Sequence, residues 1–399
     1  MDDRRRGWER ARHRHHAGSG LSALATLTKR HLNRSTLARQ LLLRRERLEV
    51  EEAVRRIVAI QAQEPASPYI ALWNRIEGLV PDDVDRAFRT GSIVRATLMR
   101  MTLHAVHAAD HLHLHAAMRA VLRADRLSDP RFLVGGATAE TAVSLEAQVL
   151  AFATEPRTPA ELEAFLGQHL DGAAPMWWAL RSVAPLVHEP SGGPWSFAIR
   201  RFVAPASRDA GEPPIDPVAV LARRYLEGFG PATVADVAEF TRLPRGRIRE
   251  ALPHAGELVE LRGPGQAPLL DVPDAPPIPD ASAPAPARLL PMWDSILFAY
   301  EDRARIIPPE LRRDIIRTNG DTLPTVLVDG FVAGVWRPVE AGIEVTALRP
   351  IPTHAWDELA LEAASLVAFL GHRDPKVYAR YRRWWERLPD AVERRILPG

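Results

Sequence analysis

The sequence has no cysteine and almost no lysine: of its 52 basic side chains only Lys29 and Lys376 are amines, the rest being arginine. Without cysteine, disulfides, thiolate nucleophiles and cysteine-ligated zinc or iron–sulfur centres are excluded, as suits a reducing cytoplasm. The scarcity of amines leaves little for Schiff-base chemistry. Arginine offers a planar fork matched to phosphate and guanine edges, although a GC-rich genome would give the same bias. No apolar run approaches the roughly 18 residues of a membrane span. The N-terminal twin arginine is followed by only a short apolar stretch, Leu21 to Leu27, which runs into Lys29-Arg30-His31, so no signal peptide is expected. These absences predict a soluble cytoplasmic protein associated with the nucleoid. No G-x-G-x-x-G, Walker or G-x-S-x-G motif is present, which removes the main signatures of enzymes acting on small molecules.

What is present reads as several compact units. A chain of 399 residues, 46% hydrophobic and 26% charged, exceeds one ordinary core. Residues 1–20 are basic and aperiodic, a flexible arm. Across 21–135 the segments STLARQLLLRRERL, VEEAVRRIVAIQAQ, PYIALWNRI and DDVDRAFRTG carry helical periodicity, and IVRATLMRMTLHAVH nearly alternates as a hairpin does. Helices beside a hairpin describe a winged helix. A second such unit spans 136–208, where Thr158, Pro159 and Glu161 form a helix-start signature. A third spans 209–263, and its last helix places Arg242, Arg245, Arg247 and Arg249 where a recognition helix enters the major groove; a solvated face is the bland alternative. Residues 264–288, rich in proline and alanine, read as a linker or a long surface loop. The unit at 289–399 shows a tight hairpin about Asp329-Gly330, a further strand and a long amphipathic helix. The expected class is α+β, mainly helical.

The sequence resembles the AlkZ and YcaQ winged-helix DNA glycosylases of bacteria. The resemblance is carried by VAIQAQEP at 58–65, LMRMTLHAVHAAD at 98–110, RRYLEGFGPATVADVAEF at 223–240, LLPMWDSILFAYEDR at 289–303 and VLVDGFVAGVWR at 326–337. It implies tandem winged helices in a C-shaped arrangement around duplex DNA and a catalytic glutamine-x-glutamine motif, here Gln61-Ala62-Gln63. It also implies that His104, Asp110, Trp293 and Asp294 line the cleft or support it structurally. Arg337, which follows the expected hairpin, is the candidate phosphate contact there, with a solvated strand end as the alternative.

Two glutamines limit the chemistry. An amide does not titrate near neutrality, so Gln61 and Gln63 orient and polarise but cannot act as general bases. That suits a leaving group which is already good, such as an N7- or N3-alkylated purine, cationic on the base and neutral on departure. Proline at 65 disfavours helix at Glu64, so both amides are expected at a helix end, aimed into one cleft. His111, His113 and His115 form HLHLH, and positions 111 and 115 share a helix face. With no cysteine partner, a partly exposed polar face outweighs a metal site, and neither metal nor cofactor is expected. The expectation is a monomeric, monofunctional glycosylase on double-stranded DNA with alkylated purines. The alternatives are a non-catalytic winged-helix regulator and, last, an enzyme acting on a small molecule.

Overall fold

The computed structural model describes residues 26–128, 138–168, 176–206, 216–371, 373–374 and 376–398, so the basic arm at 1–20 lies outside the described residues. The chain is of mixed helix and strand. Helix α1 (Lys29–Arg39) starts at an N-cap, Thr28, whose capping box is closed by His31. The helix therefore begins well before Ser35, where periodicity placed it. Asn33, Arg34, Ser35, Thr36 and Arg39 are all buried, so α1 is a polar helix enclosed on every side and has no apolar stripe to detect. Its side chains gather distant segments: Ser35 Oγ donates to Gly230 O at 2.9 Å, Asn33 Nδ2 to Gly330 O at 2.8 Å, and Arg39 forms a buried pair with Asp271 at 2.6 Å.

Helix α2 (Val50–Ile57) buries Val50, Ala53, Val54 and Ile57, a stripe at helical spacing. Periodicity extends this helix through Gln63, but Val58 adopts a positive φ of 73° and ends it. The next residues form β1 (Ile60–Gln61). Helices α3 (Ser67–Trp73) and α4 (Pro81–Arg89) follow, then the hairpin β2 (Ile93–Thr97) and β3 (Leu103–His107), then the long α5 (Ala108–Leu127).

The second block contains α6 (Ala139–Phe152), α7 (Pro159–Gly167), α8 (Met176–Val183) and the short strands β4 (Val187–His188) and β5 (Phe202–Val203). The capping box of Thr158 and Glu161 forms as expected. Ala142, Leu145, Val149, Leu162 and Leu180 give this block a core cluster of its own. Its strands nevertheless join those of the first block in one five-stranded sheet, ordered β1-β3-β2-β4-β5, which runs across the boundary drawn at 135/136.

The third block is α9 (Pro217–Phe229), α10 (Val234–Thr241) and α11 (Arg245–Ala251), then the hairpin β6 (Val259–Leu261) and β7 (Leu269–Asp271). Strand β7 lies inside the expected linker and corrects it. Leu269, Leu270, Asp271 and Val272 are buried, while Arg30 and Arg34 donate to the carbonyls of Ala281 and Ala283 at 2.6 Å. Proline-rich 264–288 is a strap: β7 pairs with β6 and exchanges backbone bonds with Ala232, and the carbonyls of Ala281 and Ala283 are held by α1 arginines, so long-range partners replace a helical ladder.

The last block is a second five-stranded sheet, β12-β11-β10-β9-β8, antiparallel throughout. It consists of β8 (Arg288–Leu290), β9 (Thr325–Val328), β10 (Phe331–Val339), β11 (Gly342–Ala347) and β12 (Glu393–Leu397). Asp329 and Gly330 take positive φ of 50° and 80° between β9 and β10, the twist a two-residue hairpin requires. Helix α12 (Thr353–Gly371) packs on this sheet, and a 3-10 segment, Ala379–Arg387, precedes β12.

Candidate active site

The Gln61-Ala62-Gln63 motif sits where α2 has ended and β1 pairs with β3, Gln61 opposite His104. Pairing fixes the backbone: Ala62 N donates to Leu103 O at 2.7 Å, and Arg95 Nε donates to Ala62 O at 3.0 Å. Ser295 clamps the other side, accepting from Gln61 N at 3.3 Å and donating to Ala59 O at 2.8 Å. The two amides are not equivalent. Gln61 is buried, and its Oε1 accepts from Arg100 Nη2 at 2.6 Å. Gln63 is exposed, its Oε1 accepting from Leu103 N at 3.4 Å, and it lines a cleft of about 420 Å³. Only Gln63 is open to that cleft.

Arg100 is the residue that sequence reasoning missed. It stands at the tip of the β2–β3 hairpin, where Arg100 and Met101 have φ of 52° and 55°. A non-glycine residue in that region costs roughly 1–3 kcal/mol and persists only where its surroundings enforce it. Here they do: the guanidinium lies 5.1 Å from the ring centroids of both Phe240 and Phe298, and Nη1 donates to Phe240 O at 3.2 Å. Burial, then the nearby Arg303 and Arg242 cations, push its pKa down to about 9, still a cation at neutral pH. Its Nη2 also faces His104 Nε2 at 3.5 Å. His104 Nδ1 is 3.1 Å from Thr102 O; because a carbonyl accepts, Nδ1 carries the proton and Nε2 presents a lone pair to Arg100. Burial and then the Arg100 cation hold His104 neutral, its pKa pushed down to about 3.

The cleft beside Gln63 is lined by Arg95, Arg181, Arg200 and Arg380 together with His188, and no carboxylate is among its described lining residues. Just behind it, Glu64 pairs with Arg380 at 2.5 Å, yet burial holds its carboxyl above the ordinary range. Sequence gave no reason to join Glu64 to Arg380, since 316 positions separate them and neither has a periodic signature.

The other expected residues are distributed. Asp294 is buried in a bidentate pair with Arg75, both contacts 2.9 Å, and caps the turn that carries Ser295. Trp293, buried with φ of 57°, donates Nε1 to Gly320 O at 2.9 Å. Both brace the site from behind. Asp110 pairs with Arg224 at 2.8 Å and ties α5 to α9. Arg337 pairs with Glu344 across β10 and β11. Of the four arginines expected on a recognition helix, Arg242 instead precedes it as the left-handed C-cap of α10, with Glu239 at 3.5 Å; within α11 Arg245 pairs with Glu301, Arg247 pairs with Asp216 and Arg249 is exposed. His111 and His115 are buried, not a partly exposed face, and their Nε2 atoms lack hydrogen-bond partners. No group of three or more metal-ligating side chains occurs among the described residues.

The model of one protein family, the AlkZ-like DNA glycosylases, matches residues 54–369. The chain belongs to the AlkZ-like DNA glycosylase family. It is accordingly a DNA glycosylase, and the five segments that carried the resemblance all fall within the matched residues. Among solved structures it is similar to the Streptomyces sahachiroi DNA glycosylase AlkZ, with a TM-score of 0.72 and 21% identity over 88% of this chain and 99% of that one. At that identity the likeness is one of fold. No curated protein matches. No described helix is long and apolar enough to cross a membrane. Within this family setting the site is an amide-bearing strand end, braced by an arginine–histidine pair and opening on an arginine-lined cleft.

Proposed function

We propose that the protein hydrolyses the N-glycosidic bond of cationic alkylated purines in duplex DNA, with Gln63 as the residue nearest the reacting sugar. The observation that carries this reading is the cleft itself: a neutral amide, four arginines and His188 line it, with no carboxylate among the described lining residues. Burial holds the His188 imidazole well below its ordinary pKa, so the described wall offers no ready general acid to protonate a normal base. An N7- or N3-alkylpurine needs none, because the C1′–N bond breaks with its electron pair moving to the cationic base, which departs neutral. Water then adds to the oxocarbenium-like sugar and loses a proton to solvent, leaving an abasic site. The Gln63 amide oxygen orients that water and favours the developing positive charge, a preorganised electrostatic effect. Gln61, held by Arg100, fixes the strand from which Gln63 projects, and the arginines receive the flanking phosphates.

In this reading the helix–helix–helix–hairpin blocks act as tandem winged helices that embrace one duplex in a C shape, and a monomer suffices. Bulky N7 adducts and interstrand crosslinks carry the same cationic leaving group, so a role in repair or in self-resistance to a genotoxic natural product follows from the same chemistry.

The test is single-turnover excision from duplexes containing N7-methylguanine or a bulky N7 adduct, read by alkaline cleavage at abasic sites. Gln63→Ala should slow excision by roughly 10² or less, as for loss of one positioning contact, with DNA affinity nearly intact. Gln61→Ala should slow it as well, by loosening the strand. Unchanged rates in both variants would remove the catalytic assignment.

A further inference from the structure

The 3-10 segment Ala379–Arg387 is anchored by a row of aromatic side chains, Tyr378, Tyr381, Trp384 and the buried Trp385. Tyr378 is buried, with Ser67 Oγ 3.0 Å from its hydroxyl; Tyr381 meets Trp293 edge-on at 5.5 Å; Trp384 donates Nε1 to Asp321 at 2.7 Å. Anchoring that row leaves the intervening arginines outside. Arg380, Arg382 and Arg383 have side chains 63%, 77% and 60% exposed, and Arg387 is exposed beside them.

Their acidic partners are few. Arg380 is paired with Glu64 at 2.5 Å, Arg382 has Glu386 at 3.5 Å, and Arg383 has Asp321 at 3.9 Å, the last already accepting from Trp384. Three guanidiniums, those of Arg317, Arg383 and Arg387, lie 5.5, 4.7 and 5.6 Å from the Trp384 ring. Crowding of like charge is felt, since Arg387 contributes to holding the Arg317 pKa below its ordinary value, after burial. On one side the segment borders a groove of about 700 Å³ whose charged lining is Arg337, Lys376 and Arg382 against one carboxylate, Glu340. On the other, Arg380 lines the Gln63 cleft. One short segment thus joins a cationic groove to the candidate site.

We propose that Ala379–Arg387 is a phosphate-docking ledge on which the backbone of the substrate duplex rests as the lesion enters the Gln63 cleft. The reading rests on the proposed glycosylase site. Phosphates supply the negative charge that the ledge lacks, and each one neutralised releases condensed counterions. Aromatic anchoring holds the arginines at fixed spacing, so little side-chain entropy is lost on binding.

The experiment compares the full chain with the Arg382→Ala/Arg383→Ala/Arg387→Ala variant in fluorescence-anisotropy titrations of undamaged duplex over a salt series. The expected result is affinity lower by roughly tenfold or more and a log–log salt slope shallower by about two to three, the loss of as many phosphate contacts. Replacing the same residues by lysine should restore most of both. Single-turnover excision at saturating N7-methylguanine duplex should be unaffected, because these three side chains do not line the cleft. Unaltered affinity and slope would overturn the ledge, whereas weakened binding with no excision by the native protein would overturn only the glycosylase chemistry. If the triple variant does not fold, Arg382→Ala alone, at the most exposed position, carries the same comparison with a slope change of about one.

Discussion

Single residues in this protein are most informative where charge and burial conflict. His104, His111 and His115 are enclosed and held neutral, burial being the main cause, with pKa values pushed down to about 3, about 3 and about 4 from an ordinary 6.5. The native state therefore binds fewer protons than the unfolded chain between those values, so their contribution to stability is present above about pH 6.5 and lost as pH falls. Asp85, Asp216 and Asp329 have lowered pKa values and stay ionised through the upper part of that window, so the histidines govern it. Melting temperature should accordingly drop between about pH 7 and about pH 5, and less so in His111→Leu, whose imidazole Nε2 has no partner to lose. Equal pH dependence in the variant would mean that His111 takes up its proton without unfolding. Little of this was legible beforehand: HLHLH gives helical spacing, but only the packing of α8 against α5 tells a buried pair from an exposed one.

At the scale of elements, sequence reading succeeds where one segment's local chemistry decides. The Thr158–Glu161 capping box, the Asp329-Gly330 turn and the apolar stripe of α2 each rest on neighbours within a few positions. The β9–β10 hairpin adds a condition that local chemistry does not contain. Asp329 accepts from Arg30 at 2.6 Å and from Arg34, and a Cβ added at Gly330 would fall 2.5 Å from Asn33 Oδ1. Gly330 thus serves both the turn and the seat on α1. Gly330→Ala should destabilise by about 2 kcal/mol or more through a strained φ and a displaced Asn33, read as a lower denaturant midpoint at constant m-value. A midpoint shift near zero would show that α1 and the hairpin move apart freely. Element limits fail in the reading for a matching reason. Val58 ends α2 and Arg100 turns the β2–β3 hairpin with positive φ but no glycine, so neither break is written in composition.

For the molecule as a whole, the near absence of amines makes a firm expectation. Lyase chemistry requires an unprotonated amine at the abasic sugar. Lys29 is exposed and 3.6 Å from Asp302, while Lys376 lines the groove beside Arg337, not the Gln63 cleft. The protein should leave an intact abasic strand, and borohydride should trap no covalent protein–DNA adduct; an adduct abolished by changing either lysine would refute a purely hydrolytic mechanism. Binding should also be strongly salt-dependent and largely indifferent to sequence, since the cationic groups that line the Gln63 cleft are arginines suited to phosphate. A single duplex preferred over random DNA by roughly 10³ at fixed salt would instead favour a regulator.

The sequence by itself determined the mixture of helix and strand, the recurring helix and hairpin blocks and, through its resemblance, the family. The first two follow from residues close along the chain, and the third from five segments matched to known relatives. Tertiary structure alone decided that Gln61 lies beneath Arg100 while Gln63 opens on the cleft, that α1 is a buried polar helix, that residues 264–288 are a strap, and that Arg380 reaches Glu64. Those outcomes depend on pairs separated by tens to hundreds of positions. A polar side chain shows no periodic trace of a partner that far away, and its burial becomes favourable only once that partner is in place.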